Sequence, residues 1–140
     1  MAINISNLTI KAPKQKVWEA ITNPIRVKQW QLGSELVTDW KVGSEIRFRT
    51  PWNGRIIEQW GKVLEVRRGE LVRYSLFAPR PGLDDKPENY FVMVYSLTEA
   101  DGVTLLEIRQ EDNRPVAIQA PPQGEENPVL KALKEVAEAL

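Results

Sequence analysis

The chain has 140 residues, and its 19 lysines and arginines balance its 19 aspartates and glutamates. At about 150 residues per domain this length predicts one domain over residues 1–140, and a neutral chain lacks the electrostatic footprint of a general nucleic-acid-binding protein. The absence of cysteine and histidine excludes disulfides, zinc–thiolate sites and histidine bases, so we expect no metal and no cofactor, and we assign no catalytic residue.

The first 30 residues predict a strand followed by two helices. Apolar residues mostly alternate over residues 3–10, as in a strand. Pro13 suits the first turn of a helix, and the apolar face of that helix carries Val17, Ala20 and Ile21. Asn23 and Pro24 have the pattern of an N-cap and first helical residue, which predicts a second, short helix ending at Trp30.

Residues 34–112 predict about six antiparallel strands. Apolar and charged residues alternate from 45 to 50, which is typical of a strand with one buried face. The dipeptides Asn53-Gly54 and Asp101-Gly102 are typical of hairpin turns, and Gly61 indicates an irregularity inside a strand. Turns of hairpin length predict that sequential strands are antiparallel neighbours.

Two irregular segments and one amphipathic helix complete the chain. Residues 79–88 contain three prolines and cannot form a central strand, and residues 111–126 are also polar and proline-rich. Asn127 and Pro128 then begin a helix of about 13 residues, whose apolar stripe is Val129, Leu133, Val136 and Leu140. That stripe must cover one face of the sheet, so the order predicts an α+β fold in which a curved sheet wraps a helix and leaves a cavity for a small apolar ligand.

Residues 16–24 (KVWEAITNP), followed by Lys28-Gln29-Trp30, resemble a known group of proteins. They are similar to the START-like helix-grip (SRPBCC) superfamily and, within it, to the activator-of-heat-shock-protein-90-ATPase-like branch. Weaker matches continue at residues 42–48, 61–66, 71–75 and 102–106. The resemblance implies a helix-grip fold of six to seven strands, with two short helices after the first strand. It also implies a range of functions that includes lipid carriers, polyketide cyclases and a co-chaperone linked to the stress response.

Our first hypothesis is a binding protein for an apolar or amphipathic small molecule, held in an internal cavity between the sheet and the C-terminal helix. The residues predicted to contact the ligand are Trp18, Phe48, Glu58, Tyr74, Val92, Leu106, Ile108, Gln110 and Leu133. Tyr74 would supply the polar group that orients the ligand, Gln110 would lie near the mouth, and the two irregular segments would gate it. A closed apolar core remains the alternative for the apolar members of this set.

Two other functions remain open. A protein-interaction module of the Hsp90 co-chaperone type, with a chaperone or a second copy as partner, would have exposed tryptophan or arginine on the convex face and a filled interior. A cavity enzyme of cyclase or hydrolase type would need two polar or ionisable groups inside, and Glu58 is the first candidate because burial would raise its pKa. We expect Trp52 to pack across its hairpin and the arginines between 47 and 73 to lie on a solvated face of mixed charge.

The hydropathy of the chain predicts its location. No apolar run approaches 18 residues, and the N-terminus lacks the apolar core of a signal peptide. We therefore expect a cytoplasmic protein without a membrane span.

Overall fold

The computed structural model describes all 140 residues and confirms the predicted helix-grip architecture, an α+β fold with one antiparallel sheet. The strands are β1 (Ala2–Ile10), β2 (Glu35–Val37), β3 (Glu45–Trp52), β4 (Arg55–Arg67), β5 (Leu71–Leu76), β6 (Phe91–Ala100) and β7 (Val103–Asp112). The helices are α1 (Lys14–Thr22), α2 (Pro24–Trp30) and α3 (Pro128–Glu138), and a single 3-10 turn, Pro87–Asn89, precedes β6.

The seven strands follow the order β1-β7-β6-β5-β4-β3-β2. The last strand returns to the first, so that Ala2 pairs with Asp112 and Ile10 with Thr104. This return brings both ends of the chain to one side of the sheet, where α3 contacts β1, α1 and α2. We call the side that carries the helices the concave face and the opposite side the outer face.

The core lies between the concave face and the helices and contains 23 buried apolar residues. Val17 on α1 and Leu133 on α3 are 0% exposed, as the apolar faces of these helices predict. Trp30 donates a hydrogen bond from Nε1 to the Ala20 carbonyl oxygen at 2.8 Å and thereby fixes α2 on α1. None of the helices combines the length and the hydrophobicity that crossing a membrane requires.

Local turn and cap signals of the sequence are confirmed. Both residues of Asn53-Gly54 and both residues of Asp101-Gly102 have positive φ, which is the geometry of the two-residue turn that best matches strand twist. The side chains of Asn23 and Asn127 accept hydrogen bonds from the first backbone N–H groups of α2 and α3. The two hairpin turns and the starts of α2 and α3 are therefore determined by residues close together in the sequence.

The irregularity expected at Gly61 lies a little further along β4. The register between β4 and β5 shifts between Val63 and Glu65. Gly61 has a different role, because a Cβ on this residue would overlap the backbone carbonyl oxygen of Ser75. The absence of a side chain therefore allows β4 and β5 to approach each other closely at this point.

The irregular segment expected at residues 111–126 runs from 113 to 127 in the structure, because β7 continues to Asp112 and α3 begins at Pro128. It covers the edge strand β1. The Gln123 N–H donates to the Ile5 carbonyl oxygen at 3.0 Å, and the Asn7 N–H donates to the Gln123 carbonyl oxygen at 2.9 Å. These bonds satisfy backbone groups that a free sheet edge would leave exposed. They also hold the segment beside the concave face, where it meets the site described next.

Candidate functional site

The space beneath α3 is filled by side chains of the chain itself. Five predicted ligand-binding residues meet there and are at most 7% exposed: Phe48, Tyr74, Leu106, Ile108 and Leu133. They belong to one continuous apolar core, and Phe48, Tyr74 and Leu133 line none of the five main pockets of the molecule. Core side chains therefore occupy the place where the sequence predicted an internal cavity.

Tyr74 and Tyr95 lie side by side in this core. Their ring centroids are 6.1 Å apart and their planes differ by 24°, while Trp40 and Phe48 border Tyr74 at 6.2 and 5.8 Å. Burial raises the pKa of Tyr74 well above its ordinary value, and the neighbouring Tyr95 adds to the shift. Burial also raises the pKa of Tyr95, so both phenols stay protonated at neutral pH and offer hydrogen bonds rather than charge.

A pocket of about 300 Å³ opens on the concave face beside these tyrosines. It lies where segment 113–127, rather than a helix, covers the sheet. Its apolar side chains include Met93 and Ile108, and its polar side chains include the amides of Asn4, Gln110 and Gln123; we call it the amide pocket. Gln110 pairs with Met93, which pairs with Tyr74 on the next strand, so the pocket lies in the same cross-strand row as Tyr74.

The three amides of the pocket differ in how many of their hydrogen-bonding groups are used. Asn4 donates to the Gln110 Oε1 at 3.3 Å and to the Ile118 carbonyl oxygen at 3.0 Å, and it accepts from the Ala120 N–H at 2.7 Å. The oxygens of Gln110 and Gln123 each accept one hydrogen bond, but their side-chain nitrogens donate to no atom of the chain. Two N–H donor groups are therefore free to meet an acceptor in the pocket.

The residues from 11 to 138 match the family described as Activator of Hsp90 ATPase homolog 1-like protein. The chain belongs to this family. The match includes most of the sheet, all three helices and the amide pocket, apart from its β1 residues Asn4 and Ser6. No curated protein matches the sequence closely enough to add a function.

Solved structures share this fold. A protein of Cytophaga hutchinsonii, known from its solution structure, is 31% identical over 99% of this chain and 86% of its own, with a TM-score of 0.69. The Aha1 dimer of Colwellia psychrerythraea is 18% identical over 84% of this chain and 81% of its own, with a TM-score of 0.62. An HSP90 activator of Plasmodium falciparum is 15% identical over 84% and 76%, with a TM-score of 0.64. At these lower identities the last two show a common fold alone.

The prediction that Val92 faces the C-terminal helix is wrong. Val92 pairs with Ser75 and Glu111 on the outer face, whereas its neighbours Phe91 and Met93 point to the concave face. The error has a physical cause, because β6 carries apolar residues on both faces. Val94, which lies on the outer face with Val92, is only 3% exposed, so the alternation that normally identifies the buried side of a strand is missing here.

Glu58 also lies on the outer face. The prediction that it is buried in an apolar setting is therefore wrong. Its carboxylate contacts Arg49 Nε at 2.9 Å and Arg47 Nη1 at 3.5 Å. These arginines also pair with Glu45 and Glu35, which gives the mixed-charge face expected for this part of the sheet. Glu58 and Tyr74 therefore lie on opposite faces, and they do not form the internal pair that a cavity enzyme would need.

Trp18, Trp40 and Trp52 lie in three different environments. Trp18 is half-buried against the core and lines none of the main pockets, as expected if it holds α1 in place. Trp40 donates from Nε1 to the Thr22 carbonyl oxygen at 2.9 Å and contacts Tyr74. Trp52 is 58% exposed at the tip of the β3–β4 hairpin, so the expectation that it packs across the hairpin is wrong.

Only one of the two proline-rich segments borders the amide pocket. Ala120 and Gln123 of segment 113–127 line it, whereas Asp85 in segment 79–88 bonds to Trp60 on the outer face. The sequence reasoning selected Ile108 and Gln110 but missed Asn4, Met93 and Gln123. These three residues carry no motif, and only strand pairing brings positions so distant in the chain together.

Proposed function

We propose that this chain is a ligand-binding protein that holds a small amphipathic molecule in the amide pocket. One combination supports the proposal: the apolar side chains of Met93 and Ile108 lie beside the free amide donors of Gln110 and Gln123. Gln110 is half-buried and Gln123 is exposed, so water reaches their donors until a ligand covers them. A ligand that covers a donor without accepting from it loses free energy, so an acceptor oxygen on the ligand would be favoured there. The ligand class is therefore a short apolar chain or ring that ends in a carboxylate, carbonyl or hydroxyl group.

The size of the pocket supports a small ligand. Ligand sites commonly have volumes of roughly 300–1,000 Å³, and the amide pocket is about 300 Å³. Each buried methylene would contribute about 0.8 kcal/mol. Met93 lies between the pocket and Tyr74. Its flexible side chain can change rotamer and so extend the pocket toward the Tyr74 hydroxyl. The proposal keeps the single domain over residues 1–140 and the cytoplasmic location that we expect from the sequence.

The test compares three eight-carbon probes that differ in their polar end. Isothermal titration calorimetry with octanoate and octanol should give saturable binding, whereas octylamine should bind at least about tenfold more weakly because it brings a cation to amide donors. Native mass spectrometry of freshly purified protein would detect a bound molecule of the same class directly. Equal binding of the three probes, or binding of none of them, would contradict the proposal.

Two matched variants, one on each face of β7, show whether octanoate binds in the amide pocket. Gln110→Leu removes one free donor from the amide pocket and should weaken octanoate binding about tenfold. Leu105→Gln changes a side chain that is 57% exposed on the outer face and should leave binding unchanged. If the two variants have the same effect, octanoate does not bind in the amide pocket.

Docking to a chaperone of the Hsp90 family is a second candidate function, because an apolar group is exposed on the β3–β4 hairpin. Trp52 is 58% exposed and Ile57, on the same face of the hairpin, is 44% exposed. Arg55 pairs with Trp52 across the hairpin, and tryptophan and arginine are frequent anchors of protein interfaces. The family and the Plasmodium falciparum relative are both named for Hsp90 activation. We would therefore expect the chain to stimulate the ATPase rate of a purified Hsp90-family chaperone.

The variant Trp52→Ala tests this second candidate. It should abolish the stimulation, whereas Trp18→Phe, on α1 and half-buried against the core, should preserve it. An ATPase rate that does not respond to the wild-type chain, or that responds equally to the chain and to Trp52→Ala, would exclude docking through the hairpin.

A further inference from the structure

A second open cleft lies on the outer face, away from the amide pocket. It has a volume of about 570 Å³ and is bordered by Trp60 and Lys62 of β4, and by Asp85 and Tyr90 of the connection between β5 and β6. We call it the aromatic cleft. Its volume is well within the range of small-molecule sites, and none of its residues takes part in the function proposed above.

An aromatic row and one carboxylate give the aromatic cleft a fixed shape. The rings of Trp60 and Tyr90 each contact the buried Phe77, at 5.4 and 5.5 Å between centroids. Asp85 accepts a hydrogen bond from Trp60 Nε1 at 3.0 Å and another from the Tyr90 hydroxyl at 2.6 Å. These contacts anchor the proline-rich segment to the sheet, so the walls of the cleft are held by defined contacts.

Two opposite charges in the aromatic cleft are unpaired. Glu45, at its border, is already bound to Arg47 at 3.1 Å, and Arg47 in turn lies 5.0 Å over the Trp60 ring. Lys62 and Asp85, by contrast, form no ion pair with any residue of the chain. A carboxylate offers about four acceptor positions, and Asp85 uses two of them, which leaves room for an ammonium group.

We propose that the aromatic cleft binds a free amino acid with an aromatic side chain. The ammonium group of the ligand would pair with Asp85, its carboxylate would pair with Lys62, and its ring would lie against Trp60 and Tyr90. A zwitterion can pair with both unpaired charges at once. A simple cation would be repelled by Lys62, and a simple anion would be repelled by Asp85. Aromatic rings in a cleft of this kind favour offset or edge contacts with another ring.

Three matched probes test the charge requirement. L-phenylalanine carries both charges, phenethylamine carries only the ammonium group, and 3-phenylpropanoate carries only the carboxylate. Titration calorimetry should show that phenylalanine binds about tenfold or more tightly than either of the others, because each lost charged hydrogen bond weakens binding by at least that factor. Equal affinities for the three probes, or no binding of phenylalanine, would overturn the proposal.

Two variants separate the contributions of the two charges. Asp85→Asn should weaken phenylalanine and phenethylamine but not 3-phenylpropanoate, and Lys62→Met should weaken phenylalanine and 3-phenylpropanoate but not phenethylamine. Lys131→Met, an exposed lysine of α3, is the control and should change none of the three. Unfolding curves of each variant show whether the fold is retained, and a loss of all three probes in a folded Asp85→Asn protein would contradict the assigned contacts.

Nuclear magnetic resonance shows independently where phenylalanine binds. Amide chemical shifts should move on addition of phenylalanine at Trp60, Lys62 and Tyr90, and those of Met93 and Gln110 on the concave face should not. Shifts at Met93 and Gln110 instead would assign the amino acid to the amide pocket and reject the aromatic cleft. Octanoate titrations remain a separate test, so failure of one site does not decide the other.

Discussion

Asp112 and Arg114 form a two-pronged ion pair at the end of β7. Arg114 donates from Nε to Oδ1 and from Nη2 to Oδ2 of Asp112, both at 2.8 Å, and its guanidinium lies 4.6 Å over the Phe91 ring. The Asp112 side chain is only 3% exposed. The pair therefore fixes the first residues of segment 113–127 over the concave face, next to the amide pocket that the same segment borders.

The first prediction concerns the pH dependence of stability. The hydrogen bonds from Arg114 hold the pKa of Asp112 below its ordinary value. Because the folded value is lower than the unfolded value, the pair stabilises the fold fully above the ordinary aspartate pKa, and this contribution is lost as the pH falls through the lowered one. Asp112→Asn should lower the free energy of unfolding at neutral pH by about 2 kcal/mol.

Urea unfolding at a series of pH values measures this effect. The difference between wild type and Asp112→Asn should be largest at neutral pH and shrink on acidification. Asp101→Asn is the control, because Asp101 lies in an exposed turn with φ of 53°, a conformation that asparagine also adopts readily. A difference that stays constant across the pH range would show that the Asp112 charge does not carry the stabilisation.

Val17→Asp should unfold the protein or come close to doing so. Val17 is 0% exposed in the core between α1 and the sheet, and an unpaired carboxylate there would cost several kcal/mol. Circular dichroism melting should show no native transition or a strongly lowered one. Gln15→Asp, on the exposed side of α1, should melt near the wild type, and a wild-type melting temperature for Val17→Asp would contradict the assigned helix face.

Gly61→Ala should destabilise the sheet although it adds a single methyl group. The new Cβ would overlap the Ser75 carbonyl oxygen, so β4 and β5 must separate, at a cost of about 1–3 kcal/mol. Chemical denaturation measures this loss against Lys62→Ala, the exposed neighbour in the same strand. Equal stability of the two variants would mean that the close approach of the strands is not required.

Asn127→Ala should cost about 1 kcal/mol by removing the N-cap of α3. The Asn127 Oδ1 accepts from the Val129 N–H at 2.9 Å, and α3 covers the core through Leu133. Asn127→Asp keeps the acceptor of the cap but loses the hydrogen bond that Asn127 Nδ2 donates to Gln123 Oε1 at 2.7 Å, so it should recover most of the wild-type stability in the same urea titration. If Asn127→Ala and Asn127→Asp are equally stable, the cap does not contribute.

The sequence alone determined the order of elements, the two asparagine caps, the Asn53-Gly54 and Asp101-Gly102 hairpins and the apolar stripe of α3. Each of these depends on residues a few positions apart, so short-range geometry and periodicity are sufficient to predict them. The family resemblance carried by residues 16–30 added the helix-grip architecture, which the structure confirms.

Only the tertiary structure decided which face each strand presents and where the pockets lie. Val92 and Glu58 face outward because pairing with neighbouring strands sets their side, and an apolar neighbourhood in sequence does not. Asn4, Gln110 and Gln123 meet because β1 returns beside β7 and segment 113–127 covers that edge. Whether the space beneath α3 is open or filled depends on the fit of some twenty side chains from every element, and close packing of that kind is a property of the assembled fold.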